Sequence, residues 1–77
     1  MFDFSGRVAV VTGGARGIGK CIADSFRAAG AQVAVIDVLE NDYFVGDIAD
    51  KNTLERFAER VIDDFGKVDF IINNAKP

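Results

Sequence analysis

Short apolar runs alternate with amphipathic stretches along this chain. Val8–Val11 is an uninterrupted apolar run between Ser5-Gly6 and the turn formers Thr12-Gly13-Gly14. Apolar runs without polar alternation are typical of strands that are buried on both faces of a sheet. The same pattern predicts three further strands: Gln32–Val38, a short one at Tyr43–Val45, and Val68–Ile72.

Two segments have the apolar periodicity of amphipathic helices. The first is Gly17–Ala29, followed by Gly30 as its C′ residue. The second is Asp50–Phe65, with Asp50 or Asn52 as the N-cap and Gly66 as the stop. The predicted apolar stripe of the first helix consists of Ile18, Ile22, Phe26 and Ala29, and that of the second of Leu54, Phe57, Ala58, Val61, Ile62 and Phe65.

The order of these elements, β-α-β-β-α-β, predicts an open parallel α/β sheet with right-handed crossovers. Only five residues separate Asp37 from Tyr43. Parallel strands are normally joined by a dozen or more residues that include a helix. The second crossover therefore has no room for a helix, and one flank of the sheet is expected to be thinly covered.

The amino-acid composition mainly excludes classes of structure and function. The 77 residues are 49% hydrophobic and 27% charged, which fits one small globular domain. A net charge of −3 argues against nucleic acid or an anionic membrane as a partner. No apolar run could span a bilayer, and no secretory signal is recognisable at the start. With no His and a single cysteine, Cys21, we expect no imidazole chemistry, no metal site and no internal disulfide, and we expect a cytoplasmic location.

The most informative segment is Thr12–Gly19, which reads TGGARGIG between the first strand and the first helix. In that context Gly13 allows a sharp turn, Gly17 lets the backbone approach a pyrophosphate, and Gly19 permits close packing of the helix on the sheet. The N–H groups at the helix N-terminus then face the phosphates, and the helix dipole favours the negative charge. A glycine pattern alone is weak evidence, so this position between strand and helix carries the prediction of dinucleotide binding.

Asp37 lies at the end of the second strand, 18 residues after Gly19. A carboxylate there accepts hydrogen bonds from the ribose hydroxyls of an adenosine and repels a 2′-phosphate. Arg16 favours the opposite, because a guanidinium beside the turn can pair with that phosphate. Asp37 occupies the ribose end directly, so we predict NAD in preference to NADP. A ligand-free turn and a solvated strand-end carboxylate are the alternative.

Together with Asp47-Ile48 and Asn73-Asn74-Ala75, these residues resemble the N-terminal part of a short-chain dehydrogenase/reductase. The family motif T-G-x-x-x-G-x-G is matched at every fixed position, whereas N-N-A-G departs at its fourth place, where Lys76 stands. The resemblance implies a Rossmann-like doubly wound parallel sheet, of which this chain is the N-terminal part. It also implies that Asp47 faces the adenine amino group, that Ile48 packs on the ring and that the Asn-Ala backbone lines the ribose. The residues expected to bind the cofactor are Thr12, Gly13, Arg16, Gly17, Ile18, Gly19, Asp37, Asp47, Ile48, Asn74 and Ala75.

The family chemistry transfers hydride between a nicotinamide cofactor and an alcohol or carbonyl substrate, and it uses a Tyr-x-x-x-Lys pair, a Ser and an Asn. None of these can be placed here, because the one tyrosine, Tyr43, is followed four positions later by Asp47. Tyr43 is interpreted as a strand residue, Cys21 as a packing residue and Asp63-Asp64 as a solvated helix face. Residues 1–77 are therefore predicted to be a partial NAD(P)-binding domain, truncated before its catalytic half.

In the strand order of doubly wound sheets, the last strand of this piece is an edge. Phe70, Ile71 and Ile72 would make that edge apolar and unpaired, which predicts self-association through it or through uncovered helix faces. Two other functions stay open. One is a stand-alone nucleotide-binding or interaction module without redox activity, and the other is a methyltransferase-type Rossmann fold.

Overall fold

The computed structural model describes residues 2–75, and in it a four-stranded parallel sheet is combined with two helices. The elements follow the predicted order β1-α1-β2-β3-α2-β4. Their bounds are β1 Val8–Thr12, α1 Gly17–Ala28, β2 Gln32–Asp37, β3 Phe44–Val45, α2 Lys51–Phe65 and β4 Phe70–Asn73.

The strands lie in the order β3-β2-β1-β4, and every neighbouring pair is parallel. In the central strand β1, Thr12 is paired with Ile36 of β2 on one side and with Asn73 of β4 on the other. Strand β4 is an edge of this sheet, as the sequence predicts, and Ile71 within it is 69% exposed. The ends of β1, β2 and β4 are thereby aligned at one side of the sheet.

The two inner strands, β1 and β2, are covered on both faces, which explains why they are apolar without alternation. Helix α2 covers one face and α1 the other. Each fully buried Val, Ile or Phe side chain contributes about 1.5–3 kcal/mol to the stability of the fold. The first core cluster contains Val8, Val10, Ala34, Ile36, Phe57 and Val61, and the second contains Ala9, Val11, Ala23, Val33 and Val35.

Helix α1 has the predicted C-terminus but not the whole predicted stripe. Ala29 is the C-cap and Gly30 follows with φ 97° in the left-handed region that favours glycine. Ile18, however, is 75% exposed, so its assignment to the packed stripe is wrong. It belongs to the first turn, next to the glycine-rich loop and beyond the part of the sheet that α1 covers. Cys21 is also exposed, which contradicts its interpretation as a packing residue.

Helix α2 has both predicted ends. Asp50 is the N-cap, with its side chain accepting a hydrogen bond from Asn52 N, and Gly66 adopts the left-handed conformation with φ 79°. The predicted apolar stripe is wider than the contact with the sheet. Leu54, Ala58 and Ile62 are exposed, because the helix turns only the face of Thr53, Phe57 and Val61 to the strands.

The connection from β2 to β3 contains no helix, as predicted. Asn41 organises it: its Oδ1 accepts hydrogen bonds from Tyr43 N and Phe44 N, and its Nδ2 donates to the carbonyls of Leu39 and Phe44. Tyr43 lies just before the two-residue strand β3 rather than in it. A turn stabilised by the Asn41 side chain therefore connects β2 to β3 in place of a crossover helix.

Strand β4 begins two residues later than predicted, after Val68 and Asp69. Asp69 Oδ2 accepts a hydrogen bond of 2.8 Å from Val8 N, and Asp69 N donates to the Val8 carbonyl. These bonds hold the start of β4 against β1 before the regular ladder begins. Within the described range, neither helix has the length and apolarity needed to cross a membrane.

Candidate functional site

A cleft of about 460 Å³ opens at the carboxyl ends of β1, β2 and β4. Crevices at this end of the strands are where open α/β sheets bind ligands, and the volume is in the range of small-molecule sites. The cleft brings together every sequence-predicted site residue except Thr12 and Gly19. Those that line it are Gly13, Arg16, Gly17, Ile18, Asp37, Asp47, Ile48, Asn74 and Ala75.

The glycine-rich turn forms the floor of the cleft. Gly13 (φ 68°) and Gly17 (φ 60°) both have positive φ, which explains the glycine requirement at these two positions. A Cβ on Gly17 would meet no atom within 4 Å, so this backbone is bordered by open space. Gly19 is buried, and a Cβ there would overlap the Gly13 carbonyl oxygen and Asn74 Nδ2. Gly19 therefore permits close packing beneath the cleft without lining it.

The N-terminus of α1 borders the cleft without a side-chain cap. Arg16 is the N-cap residue, but it makes no capping hydrogen bond, whereas Asp50 caps α2. The first N–H groups of a helix have no partner within the helix and carry partial positive charge. An open backbone at Gly17 beside an uncapped N-terminus fits the pyrophosphate of a dinucleotide.

Asp37 lies at the border between the turn and the end of β2. Its side chain is half-buried and lines the cleft. Its Oδ2 accepts a hydrogen bond of 3.0 Å from Ala15 N, and its Oδ1 accepts one of 3.0 Å from Leu39 N. Each carboxylate oxygen can accept a second bond, so the group retains capacity for ribose hydroxyls.

Asp47 and Ile48, which follow β3, also line the cleft. Ile48 is half-buried, packs on the core cluster that contains Phe57 and also lines the cleft. Asp47 Oδ1 accepts a hydrogen bond from Ala49 N, and the second oxygen of this exposed carboxylate can accept a hydrogen bond from a ligand. An apolar surface with an acceptor beside it suits the ring and the amino group of an adenine.

Thr12 lies beneath the cleft, where its hydroxyl joins β1 to the segment after β4. Its Oγ1 accepts hydrogen bonds from Asn74 N (2.9 Å) and Ala75 N (3.0 Å) and lies 3.2 Å from Asn73 Oδ1, to which it donates. Asn74 Nδ2 donates to the Gly13 carbonyl at 3.1 Å. These bonds set the position of the Asn-Ala wall. The predicted departure at Lys76 lies outside the described residues.

Three residues that line the cleft were missed by the sequence reasoning: Ile36, Val38 and Gly46. Gly46 N donates to the Asp37 carbonyl at 2.9 Å, and a Cβ on Gly46 would overlap Thr53 Cγ2. A glycine directly before the Asp47-Ile48 pair was the available signal. Its lack of a side chain lets α2 approach the cleft wall closely.

Tyr43 does not line the cleft and packs instead against α2, where its ring lies beside Phe57 and Phe65. Its hydroxyl donates to Asp64 Oδ2 at 2.7 Å, and the Arg60 guanidinium lies 4.1 Å from its ring centre. Burial, followed by the Asp64 carboxylate, raises the pKa of Tyr43 to about 12. Tyr43 therefore keeps its proton at neutral pH. Asp63 and Asp64 are both exposed on α2, as predicted, and Asp64 additionally forms an ion pair with Arg60.

Metal-ligating side chains do not gather in this site. Across residues 2–75, no group of three or more Cys, Asp or Glu side chains is placed to hold an ion. The cleft is lined instead by backbone, by the carboxylates of Asp37 and Asp47, by the side chains of Arg16 and Asn74, and by apolar side chains.

Comparison with known proteins identifies the family to which this chain is similar. The family described as short chain dehydrogenase matches residues 7–76. The fluoren-9-ol dehydrogenase of Terrabacter sp. (strain DBF63) is 40% identical over 95% of this chain and 25% of its own length. The 3-oxoacyl-(acyl-carrier-protein) reductase FabG of Escherichia coli (strain K12) is 35% identical over 95% of this chain and 35% of its own. The bovine (Bos taurus) 15-hydroxyprostaglandin dehydrogenase (NAD(+)) is 35% identical over 92% and 34%.

A solved structure agrees with these relatives. The hydroxysteroid dehydrogenase from Escherichia coli superposes with a TM-score of 0.87 at 32% identity, covering 97% of this chain and 39% of that protein. The predicted Rossmann-like parallel sheet is thereby confirmed. The chain spans 9% to 35% of the length of the curated relatives reported above and of the Neurospora crassa peroxisomal hydratase-dehydrogenase-epimerase. From its motifs, its sheet and these matches, the chain belongs to the short chain dehydrogenase family of oxidoreductases.

Proposed function

We propose that residues 1–77 are the dinucleotide-binding part of an NAD-dependent short-chain oxidoreductase. The observation that carries this proposal is the single cleft in which the turn Gly13–Gly17, Asp37 and the Asn74-Ala75 wall meet. The cleft also lies at the strand ends where ligands bind in α/β sheets. The substrate of the whole enzyme would be an alcohol or a carbonyl compound, as in the relatives named as dehydrogenases and reductases.

Each wall of the cleft has its own part in binding. The uncapped N-terminus of α1 and the open backbone at Gly17 would hold the pyrophosphate. Asp37 would accept hydrogen bonds from the adenosine ribose, and Asp47 with Ile48 would hold the adenine. Asn74 and Ala75 would contact the second ribose from the side of β4. The exposed Ile18 lines the same cleft and would shield the pyrophosphate from solvent.

The nicotinamide ring, when bound, supplies the hydride chemistry of this family. The described residues bind and orient the dinucleotide, and Tyr43, whose hydroxyl is bonded to Asp64 outside the cleft, is not placed to move a proton to a substrate. A nucleotide-binding module without redox activity is the second candidate, since the lining of the cleft accounts for nucleotide binding by itself.

NAD is proposed over NADP because Asp37 is held at the ribose end by two backbone N–H groups. A 2′-phosphate would be placed against this carboxylate, and like charges in contact repel. Arg16 is exposed and is the group that would offset this repulsion. The dehydrogenase named with NAD(+) among the relatives is consistent with this preference.

Calorimetric titration of the 77-residue chain with NAD and with NADP tests the proposal. We expect NAD to bind about tenfold more tightly, a difference of about 1.4 kcal/mol. Asp63→Asn is the matched control, since Asp63 is an exposed acid of α2 outside the cleft, and it should leave both affinities unchanged. Tighter binding of NADP would refute the cofactor assignment, and no binding of either would refute the nucleotide-binding function.

We also propose that the chain self-associates through the edge strand β4. The edge offers unpaired backbone groups, and Ile71 at its centre is 69% exposed. An exposed apolar edge strand is a template for pairing with a second copy.

A further inference from the structure

Both oxygens of the Asp37 carboxylate are bonded to backbone N–H groups of different segments. One bond reaches Ala15 in the middle of the glycine-rich turn, and the other reaches Leu39 at the start of the β2–β3 connection. The bonds are 3.0 Å long, and Asp37 is half-buried between the two segments. One side chain thus joins the turn to the adenosine end of the cleft.

Backbone hydrogen bonds tie the turn at its two ends, where Gly13 N donates to the Ile36 carbonyl and Lys20 N donates to the Arg16 carbonyl. Between Gly13 and Gly17, two side chains of the described chain bond to its backbone: Asn74 at the Gly13 carbonyl and Asp37 at Ala15 N. Gly13, Gly14 and Gly17 have wide conformational freedom when they are not held. Among the described residues, Asp37 is thus the side chain that anchors the middle of the turn, between the ends that backbone bonds hold.

Resting on the proposed dinucleotide function, we propose that Asp37 is a positioning residue for the phosphate-binding turn as well as a ligand of the ribose. The bond to Ala15 N holds the turn in the conformation that receives a pyrophosphate, although Asp37 itself does not touch the phosphates. The remaining lone pairs of the carboxylate serve the ribose. Removal of the side chain would then weaken binding even of ligands that have no ribose.

Simple electrostatics predicts the opposite effect. Asp37 is an anion beside a site for anions, so its removal without any effect on the turn would strengthen pyrophosphate binding. Asp37→Asn and Asp37→Ala are both neutral, which makes their difference free of the charge effect. Asn keeps an oxygen that can accept from Ala15 N, while the exposed Leu39 N–H can bond to water; Ala keeps neither acceptor.

The test measures the binding of inorganic pyrophosphate to the wild type and to both variants by NMR titration. We expect pyrophosphate to bind Asp37→Ala about fivefold more weakly than Asp37→Asn, as for the loss of one hydrogen bond. Amide exchange at Ala15 should accelerate by a similar factor in Asp37→Ala only. The temperature dependence of the wild-type Ala15 amide shift reports the bond directly, so the test does not depend on the folding of a variant.

Equal pyrophosphate affinity in the two variants, or a solvent-like temperature dependence at the wild-type Ala15 amide, overturns the positioning role. A wild type that binds neither pyrophosphate nor NAD overturns the proposed function instead. In that case, exchange at Ala15 still decides whether Asp37 holds the turn. The two failures therefore have different signatures.

Discussion

Gly17 and Gly66 share a backbone conformation and differ in their surroundings. Both have positive φ, and a Cβ on either would meet no atom within 4 Å. We expect Gly17→Ala and Gly66→Ala each to lower the free energy of unfolding by about 1–2 kcal/mol, because an L side chain is strained in this region. Only Gly17 borders the cleft, so NAD affinity measured by calorimetry should fall in Gly17→Ala alone. Equal affinities in both variants would contradict a phosphate site at this turn.

The Thr12 hydroxyl is a second residue whose role can be isolated. Thr12→Val removes the acceptor for Asn74 N and Ala75 N, two half-buried N–H groups. Leaving them without a partner should lower the free energy of unfolding by about 2 kcal/mol in urea denaturation. Thr12→Ser keeps the hydroxyl and is expected to lose much less. Equal destabilisation by Thr12→Ser and Thr12→Val would contradict the role of the hydroxyl, because Ser retains it.

At this scale the sequence is informative where a residue type is required by geometry. The positive φ of Gly13 and the buried position of Gly19 follow from the turn motif. Ile18 and Cys21 were assigned wrongly, because helical periodicity identifies a face but not where the covering sheet ends. The bond from Ala15 N to Asp37 was also out of reach, since it joins positions 22 residues apart through a turn that no pattern specifies.

Among the elements, β4 is held at its start by Asp69. The hydrogen bond from Val8 N, together with Lys67 and Arg7, holds the pKa of Asp69 below its usual range. A lowered folded-state pKa gives stability that is present above the unfolded-state pKa of about 4 and is lost as pH falls through the folded value.

We therefore expect Asp69→Asn to flatten the pH dependence of unfolding. The wild type should lose stability below about pH 4 more steeply than Asp69→Asn, as followed by thermal melts at descending pH. Asp63→Asn, at an exposed position of α2, is the control and should keep the wild-type dependence of stability on pH. Identical slopes for the wild type and Asp69→Asn would show that Asp69 does not couple β4 to protonation.

The elements were largely predictable, and their bounds were less so. Asp50 and Gly66 fixed the ends of α2, because a cap acceptor and a left-handed glycine have local causes. The late start of β4 depends on Asp69 pairing with Val8, 61 residues away, which no local pattern contains. Strand β3 depends similarly on the turn around Asn41 and on Tyr43 packing against α2.

At the scale of the whole molecule, the exposed edge strand β4 leads us to predict self-association. We expect the chain to elute as a dimer or larger species in size-exclusion chromatography with light scattering at micromolar concentration. Ile71→Lys should shift it toward the monomer, because a charge on an edge strand opposes pairing. Ile62→Lys, on the exposed face of α2, is the matched control and should remain associated.

A wild type that is a clean monomer would refute self-association. If Ile62→Lys rather than Ile71→Lys releases the monomer, the interface is the helix face and not the sheet edge. The prediction therefore distinguishes the two apolar surfaces that the sequence left open.

The missing crossover helix also bears on the order of folding. Ile36 pairs with Phe44 only eight positions along the chain, whereas Thr12 bonds to Asn73 across 61. Closing a longer loop costs more chain entropy, and non-local pairing slows folding. We expect the β2–β3 side of the cleft to form early and the Asn74-Ala75 wall to dock last. Competence to hold a nucleotide would then arise only when β4 pairs with β1.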